Sequence, residues 1–143
     1  MVAIPSVTHP AVPEVVTLEQ FLQLPEIKPA QEFSNGQISQ KPIPQGKHSR
    51  LQYKICALIN QITEDSKIAF AFPELRSTFG GRSLVLDIAV FLWQNIPFLA
   101  NGEVPNRFEL APDWVIEICS PDQSSNKVLG KILYCLNHGT KLG

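Results

Sequence analysis

Two apolar runs constrain this chain more than anything else in it, and each carries a carboxylate. The first is Val85-Leu86-Asp87-Ile88-Ala89-Val90-Phe91, the second Trp114-Val115-Ile116-Glu117-Ile118-Cys119. Short, continuous and rich in β-branched and aromatic residues, both read as strands buried on two faces. An ionised carboxylate in such a place costs several kcal/mol unless a cation or close partner compensates it. The fold must therefore bring positive charge to Asp87 and Glu117. The segment from Asn126 to Lys131, directly after the second run, carries two lysines.

The rest of the chain supplies an α/β frame for these strands. Residues 1–16 hold three prolines and no hydrophobic period, and are expected to form a loose arm before one domain over residues 17–143. Thr17 with Gln20 three residues on is a capping-box pattern, and Pro25 stops the short helix it opens. Gln31–Ser34 and Gln37–Gln40 flank Asn35-Gly36, a strong hairpin signal. A helix is expected from about His48 to Asp65, with Leu51, Ile55, Leu58, Ile59 and Ile62 as its inward face and His48 at the start of that stripe. Ile68 to Phe72 reads as a strand ended or placed at an edge by Pro73, and Gly80-Gly81 as the turn before the Asp87 strand. Ser120-Pro121-Asp122 closes the Glu117 strand and begins a helix to about His138, with Gly139 past its end. A helix after a buried strand ordinarily returns to the sheet. No residues follow Gly143 to make that return, so the domain reads as cut short of its C-terminal strands.

Composition narrows the chemistry. The apolar share of 44% and charged share of 17% belong to a globular chain. A net charge of −1 argues against a histone-like or repressor-like binder and weakly against any nuclease, which could still bind through a local groove and its metal. Cys56, Cys119 and Cys135 have no disulfide or zinc spacing, which fits a reducing compartment. No apolar run reaches the roughly 18 residues of a membrane span, and no secretory leader opens the chain, so a cytoplasmic setting is expected. There is no nucleophile elbow and no P-loop, and His9, His48 and His138 lack zinc spacing.

What remains is acid, acid and lysine. Phosphodiester hydrolysis needs charge neutralisation at the phosphate and a water made nucleophilic near neutral pH, and a divalent cation on two carboxylates supplies both. Asp87 and Glu117 on adjacent strands could meet at one such ion, with the Ile118 carbonyl as a third oxygen. Lys127 and Lys131 share a helix face, and either could reach the strand end. Glu32 becomes a further acid if the hairpin packs beside the site. Structural alternatives stand beside each assignment. Asp87 could pair with Arg76 or Arg82 and Glu117 with Arg107; His48 could cap its helix; Glu32 and the lysines could be solvated.

Taken in order, Glu32 with Asn35-Gly36, Pro44 and His48-Ser49, Asp87-Ile88-Ala89-Val90, Glu117-Ile118 with Ser120-Pro121, and Lys131 with Gly139 resemble one family. It is the Uma-type endonuclease family of the restriction-endonuclease-like PD-(D/E)XK superfamily. The resemblance runs from about Thr17 onward. It implies a restriction-endonuclease-like core, with a central mixed β-sheet flanked by helices and an N-terminal hairpin. It also implies a DNA-cleaving site that uses magnesium, with manganese as an alternative. It maps the metal to Asp87, Glu117 and the carbonyl of Ile118, the lysine to Lys131, and supporting roles to Glu32 and His48. Leu86 stands where the family usually has proline, and Cys119 where the superfamily often places its lysine. The expected function is a metal-dependent endonuclease; the alternative is a nuclease-like module that binds DNA or protein without cleaving. Cleavage of both strands needs two sites, so a homodimer is expected.

Overall fold

The computed structural model describes residues 16–121 and 123–143. The expected arm lies outside them apart from residue 16, as does Asp122 of the expected helix start. Thr17 and Gln20 form the capping box in both directions, opening α1 (Leu18–Gln23). The hairpin β1 (Gln31–Ser34) and β2 (Gln37–Gln40) turns at Asn35 and Gly36, both at positive φ. Then come α2 (Gly46–Thr63), β3 (Ala69–Phe79), β4 (Arg82–Leu92), a 3-10 turn (Trp93–Asn95), β5 (Trp114–Ile116) and α3 (Ser125–Leu136). Among the described residues no helix is long and apolar enough to cross a membrane.

β4 is the centre of the sheet. β3 pairs with it along its whole length, while its other edge is shared by β1 at one end, through Phe33 and Ser83, and β5 at the other, through Ile88 to Val90. All these ladders are antiparallel. Parallel pairing, the mixed character expected of the sheet, occurs as two isolated bridges, Ser77 with Phe108 and Trp114 with Leu142. The second bridge shows the chain returning to the sheet after α3, beside β5.

Of the two outcomes Pro73 allowed, the edge is the one realised: β3 is the outer strand of the sheet and runs on past Pro73 to Phe79. The face expected of α2 is met in part: Ile55 and Ile59 pack inward as expected, but Leu51, Leu58 and Ile62 are exposed, and Gln52 and Cys56 are buried. The helix also lies along unpaired backbone groups of β3, which need polar partners as well as apolar cover. Asn60 donates to the Ala71 carbonyl (3.1 Å) and accepts from its N–H (2.8 Å), standing in for a neighbouring strand. Thr63 Oγ1 donates to the Ala69 carbonyl at 2.8 Å.

At Glu74 and Asp87 the pleat inverts. Leu84 and Leu86 belong to the same core cluster as Ala89 and Phe91, whereas Ile88 and Val90 pack with Ala69, Ala71 and Cys56. A regular strand would put 86 and 88 on one face. The pairing of Pro73 with Ile88 and of Leu75 with Leu86 keeps its register across the inversion. Glu74, opposite Asp87, takes φ +47°, a conformation a β-carbon makes unfavourable.

Candidate active site

The interval of β4 between its two short partners is where the functional side chains gather. Neither β1 nor β5 reaches Val85, so side chains answer its main chain. Its N–H donates to Glu32 Oε2 (2.9 Å), and its carbonyl accepts from Lys131 Nζ (3.2 Å). The Glu32 of the hairpin and the Lys131 of α3 meet there at 2.8 Å, both buried. Lys131 also lies 3.2 Å from Glu117 Oε1. Lys127, one turn earlier, is exposed.

Glu117 follows β5 instead of lying within it. The expected strand to Cys119 ends at Ile116 because the Ile118 N–H is taken by Asp87 Oδ2 (2.9 Å), a side chain in place of a ladder partner. Glu117 stands close enough to Asp87 for each carboxyl to shift the other's titration. Asp87 Oδ1 accepts from Lys41 Nζ at 2.8 Å, and His48 Nε2 lies 3.4 Å from Oδ2. Thus Asp87, Glu117, Lys131, Glu32 and His48 form one cluster. Asp87 pairs with neither arginine considered for it: Arg76 binds Glu26 and Arg82 lies over the Tyr134 ring.

Three members were not singled out from sequence. Lys41, just past β2, contacts Glu74 Oε1 and Oε2 (3.2 Å each) as well as Asp87. Gln52 Nε2 donates to the Asp87 carbonyl (2.7 Å) and to Glu74 Oε1 (3.0 Å). A glutamine on the polar side of α2, a lysine in a proline-rich loop and a glutamate after Pro73 carry no local signal; only the tertiary fold joins them.

The electrostatics follow from burial and proximity. Burial pushes the Glu117 carboxyl up, the neighbouring Asp87 adds to it against the pull of Lys131, and the group reaches about 8. Burial works on Asp87 in the same direction, but the Glu117 carboxyl, the Lys41 ammonium and the Ile118 N–H outweigh it and hold Asp87 well below the usual carboxylate range. For Lys131, burial is overcome by Glu117 and Glu32, which raise it.

The donor set fits a divalent cation. Glu117 Oε1 is buried and receives no hydrogen bond; the 3.2 Å approach of Lys131 is an ion pair without hydrogen-bond geometry. Four carboxyl groups, Glu32, Glu74, Asp87 and Glu117, face two ammonium groups, Lys41 and Lys131, an excess of one negative charge while Glu117 keeps its proton and of two once it is ionised. Among the described residues no three His, Cys, Asp or Glu side chains converge as a metal cage. A cation here would rest on Asp87, Glu117, main-chain and water oxygens, as magnesium often does.

Comparison with known proteins places the chain among nuclease-like relatives. Residues 18–143 match the model of the Uma2 family, described as "Putative restriction endonuclease". A crystal structure from Anabaena variabilis ATCC 29413, described as a "putative nuclease belonging to DUF820", is similar at 55% identity with a TM-score of 0.84, over 87% of this chain and 70% of that one. A search of curated proteins gave no match.

Proposed function

Because this chain belongs to the Uma2 family, we propose that the Asp87 cluster is the active centre of a metal-dependent endonuclease that hydrolyses phosphodiester bonds in DNA. The observation that carries the reading is the meeting of Asp87 and Glu117 beside the buried Lys131, with more negative charge than the protein neutralises. Magnesium or manganese held by Asp87, Glu117 and the Ile118 carbonyl would neutralise phosphate charge and acidify a water. The chain's own groups do the rest. Lys131 holds Glu117 and Glu32 in place and lends the site a fixed positive charge without lining the cavity. Glu32 fixes Lys131 and the β4 main chain, and His48 flanks Asp87 at the cavity. Hydrolysis adds water at phosphorus and breaks one ester bond, leaving a phosphate end and a hydroxyl end.

One observation favours the alternative, a nuclease-like module that binds DNA or protein without cleaving. Both Asp87 oxygens already have donors, Lys41 and the Ile118 N–H, so a cation must compete for them. Plasmid and oligonucleotide DNA incubated with magnesium, manganese or EDTA, beside Asp87→Asn, separates the two. Metal-dependent cleavage lost in the variant supports the nuclease. A folded wild-type protein that binds DNA but never cleaves it supports the module.

A second copy of the chain is the proposed partner for double-strand cleavage. The exposed Leu51, Leu58 and Ile62 on α2 and Leu129 and Leu133 on α3 offer it apolar surface. Sedimentation that finds only monomer at micromolar protein removes this part of the reading.

A further inference from the structure

Beside the cluster lies a cavity of about 390 Å³, lined by Lys41, His48, Gln52, Glu74, Asp87 and Ser120 among others. Glu32, Glu117 and Lys131 do not line it. Of the two lysines that hold Asp87 and Glu117, the one that lines the cavity is therefore Lys41. Resting on the nuclease reading of this site, we propose that Lys41 is the lysine that meets the substrate: it holds Asp87 Oδ1 until a divalent ion and a phosphodiester arrive, and then passes to the phosphate.

Geometry and chemistry carry this inference together. Lys41 Nζ sits 2.8 Å from Asp87 Oδ1, a separation typical of a charge-assisted hydrogen bond. It takes the Asp87 oxygen that the Ile118 N–H leaves open, the one a cation would need. A divalent ion at Asp87 must displace it, since two cations cannot share so close a position. The released ammonium is not stranded, because both oxygens of Glu74 already contact it at 3.2 Å. Glu74 is fixed for that purpose at the pleat inversion, by its strained backbone and by Gln52, which ties it to the Asp87 carbonyl. From Glu74 the lysine keeps one anchor and has one proton-donating face for a phosphate oxygen. Lys131 is placed differently, its partners being Glu32, Glu117 and the Val85 carbonyl. Two lysines thus divide the work: one holds the acids, one faces the ligand.

The test uses Lys41→Met, with the exposed Lys127→Met as a control for general charge loss. Two affinities are read by titration: that of Mn2+ alone, and that of a phosphorothioate oligonucleotide in Ca2+. Losing a competitor at Asp87 should tighten Mn2+ binding about tenfold, while losing a phosphate contact should weaken oligonucleotide binding by about the same factor. Opposite changes in one variant are something a loosened fold cannot give, and Lys127→Met should give neither. Unchanged or weaker Mn2+ binding by a folded Lys41→Met overturns the proposal, as does unchanged oligonucleotide binding. If wild-type protein binds Mn2+ and cleaves DNA, such a result removes Lys41 alone. If wild-type protein does neither, the nuclease reading falls and the Lys41 role with it.

Discussion

Replacing Lys131 with methionine should be among the most damaging single changes in the domain, although it keeps the stem of the side chain. Lys131 is 7% exposed, and the side chains of its partners Glu32 and Glu117 are 4% and 1% exposed. Removing one member of a buried ion pair costs about 3–5 kcal/mol, because the other charge stays buried without compensation. The Val85 carbonyl loses its side-chain donor as well, a loss of about 1–3 kcal/mol when the group stays buried. These terms overlap, and Glu117, whose carboxyl stands near 8 even with Lys131 beside it, already holds its proton at pH 7, so the charge left stranded is chiefly that of Glu32. A loss of about 3 kcal/mol at pH 7 is the expected result, a large part of the roughly 5–15 kcal/mol that holds a domain together. With a urea m-value of about 1–3 kcal/mol/M the midpoint should fall by more than about 1 M. Tryptophan fluorescence from Trp93 and Trp114 during urea unfolding reads this directly. Glu32→Gln removes one stranded charge, so Glu32→Gln/Lys131→Met should be more stable than the two single losses added together. A loss below about 1 kcal/mol would mean that the trio behaves as a solvated surface pair, and the reasoning would be refuted.

The raised carboxyl of Glu117 makes stability depend on pH with a definite sign. Between the usual 4.5 and about 8 the folded protein keeps a proton that the unfolded chain has released, so metal-free stability should fall as pH rises through that window. Glu117→Gln should flatten the fall; urea midpoints in EDTA from pH 5 to 8.5 that stay level in the wild type would contradict it. Gly80→Ala should destabilise by about 1–3 kcal/mol, since Gly80 holds φ +61° and a methyl there collides with Tyr134 Oη and the His138 ring. A thermal midpoint unchanged from wild type would count against that contact. Thr17→Ala removes the Oγ1 that accepts from the Gln20 N–H, leaving the reciprocal bond from the Thr17 N–H to Gln20 Oε1, and should lower stability by about 1 kcal/mol, with hydrogen exchange in α1 rising first. Unaltered protection of α1 would show that tertiary contacts, such as the Phe21–Phe33 stack, hold it instead.

Local chemistry was legible in the sequence. The capping box at Thr17, the Asn35-Gly36 hairpin and the Gly80-Gly81 turn are settled by residues within a few positions of each other, and each formed where the residues place it. The β4 run was legible because nothing but burial explains its composition. The inward face of α2 was legible only in part: Ile55 and Ile59 pack on the core, but the helix also meets the polar edge of β3, which a hydrophobic count does not foresee. Whether β3 ends at Pro73 or runs past it was left open, since that depends on which side of the strand is open. Of the candidate site, Asp87 and Glu117 announced themselves as charges among apolar neighbours, and Glu32, His48 and Lys131 through family resemblance. Lys41, Gln52 and Glu74 stand in polar surroundings where such residues are ordinary, so only the folded chain brings them together.

The side-chain answers to the Val85 main chain also set when the site can exist. Its N–H is met by a residue 53 positions earlier and its carbonyl by one 46 positions later. A chain leaving the ribosome presents the hairpin and the central strand long before α3. Until that helix docks, Glu32 and Glu117 have no Lys131, and the acids have no reason to leave water. The domain is thus barred by its own chain order from assembling its cluster early. On the nuclease reading, a growing polypeptide should stay inert toward the nucleic acids crowded around the ribosome until α3 has docked.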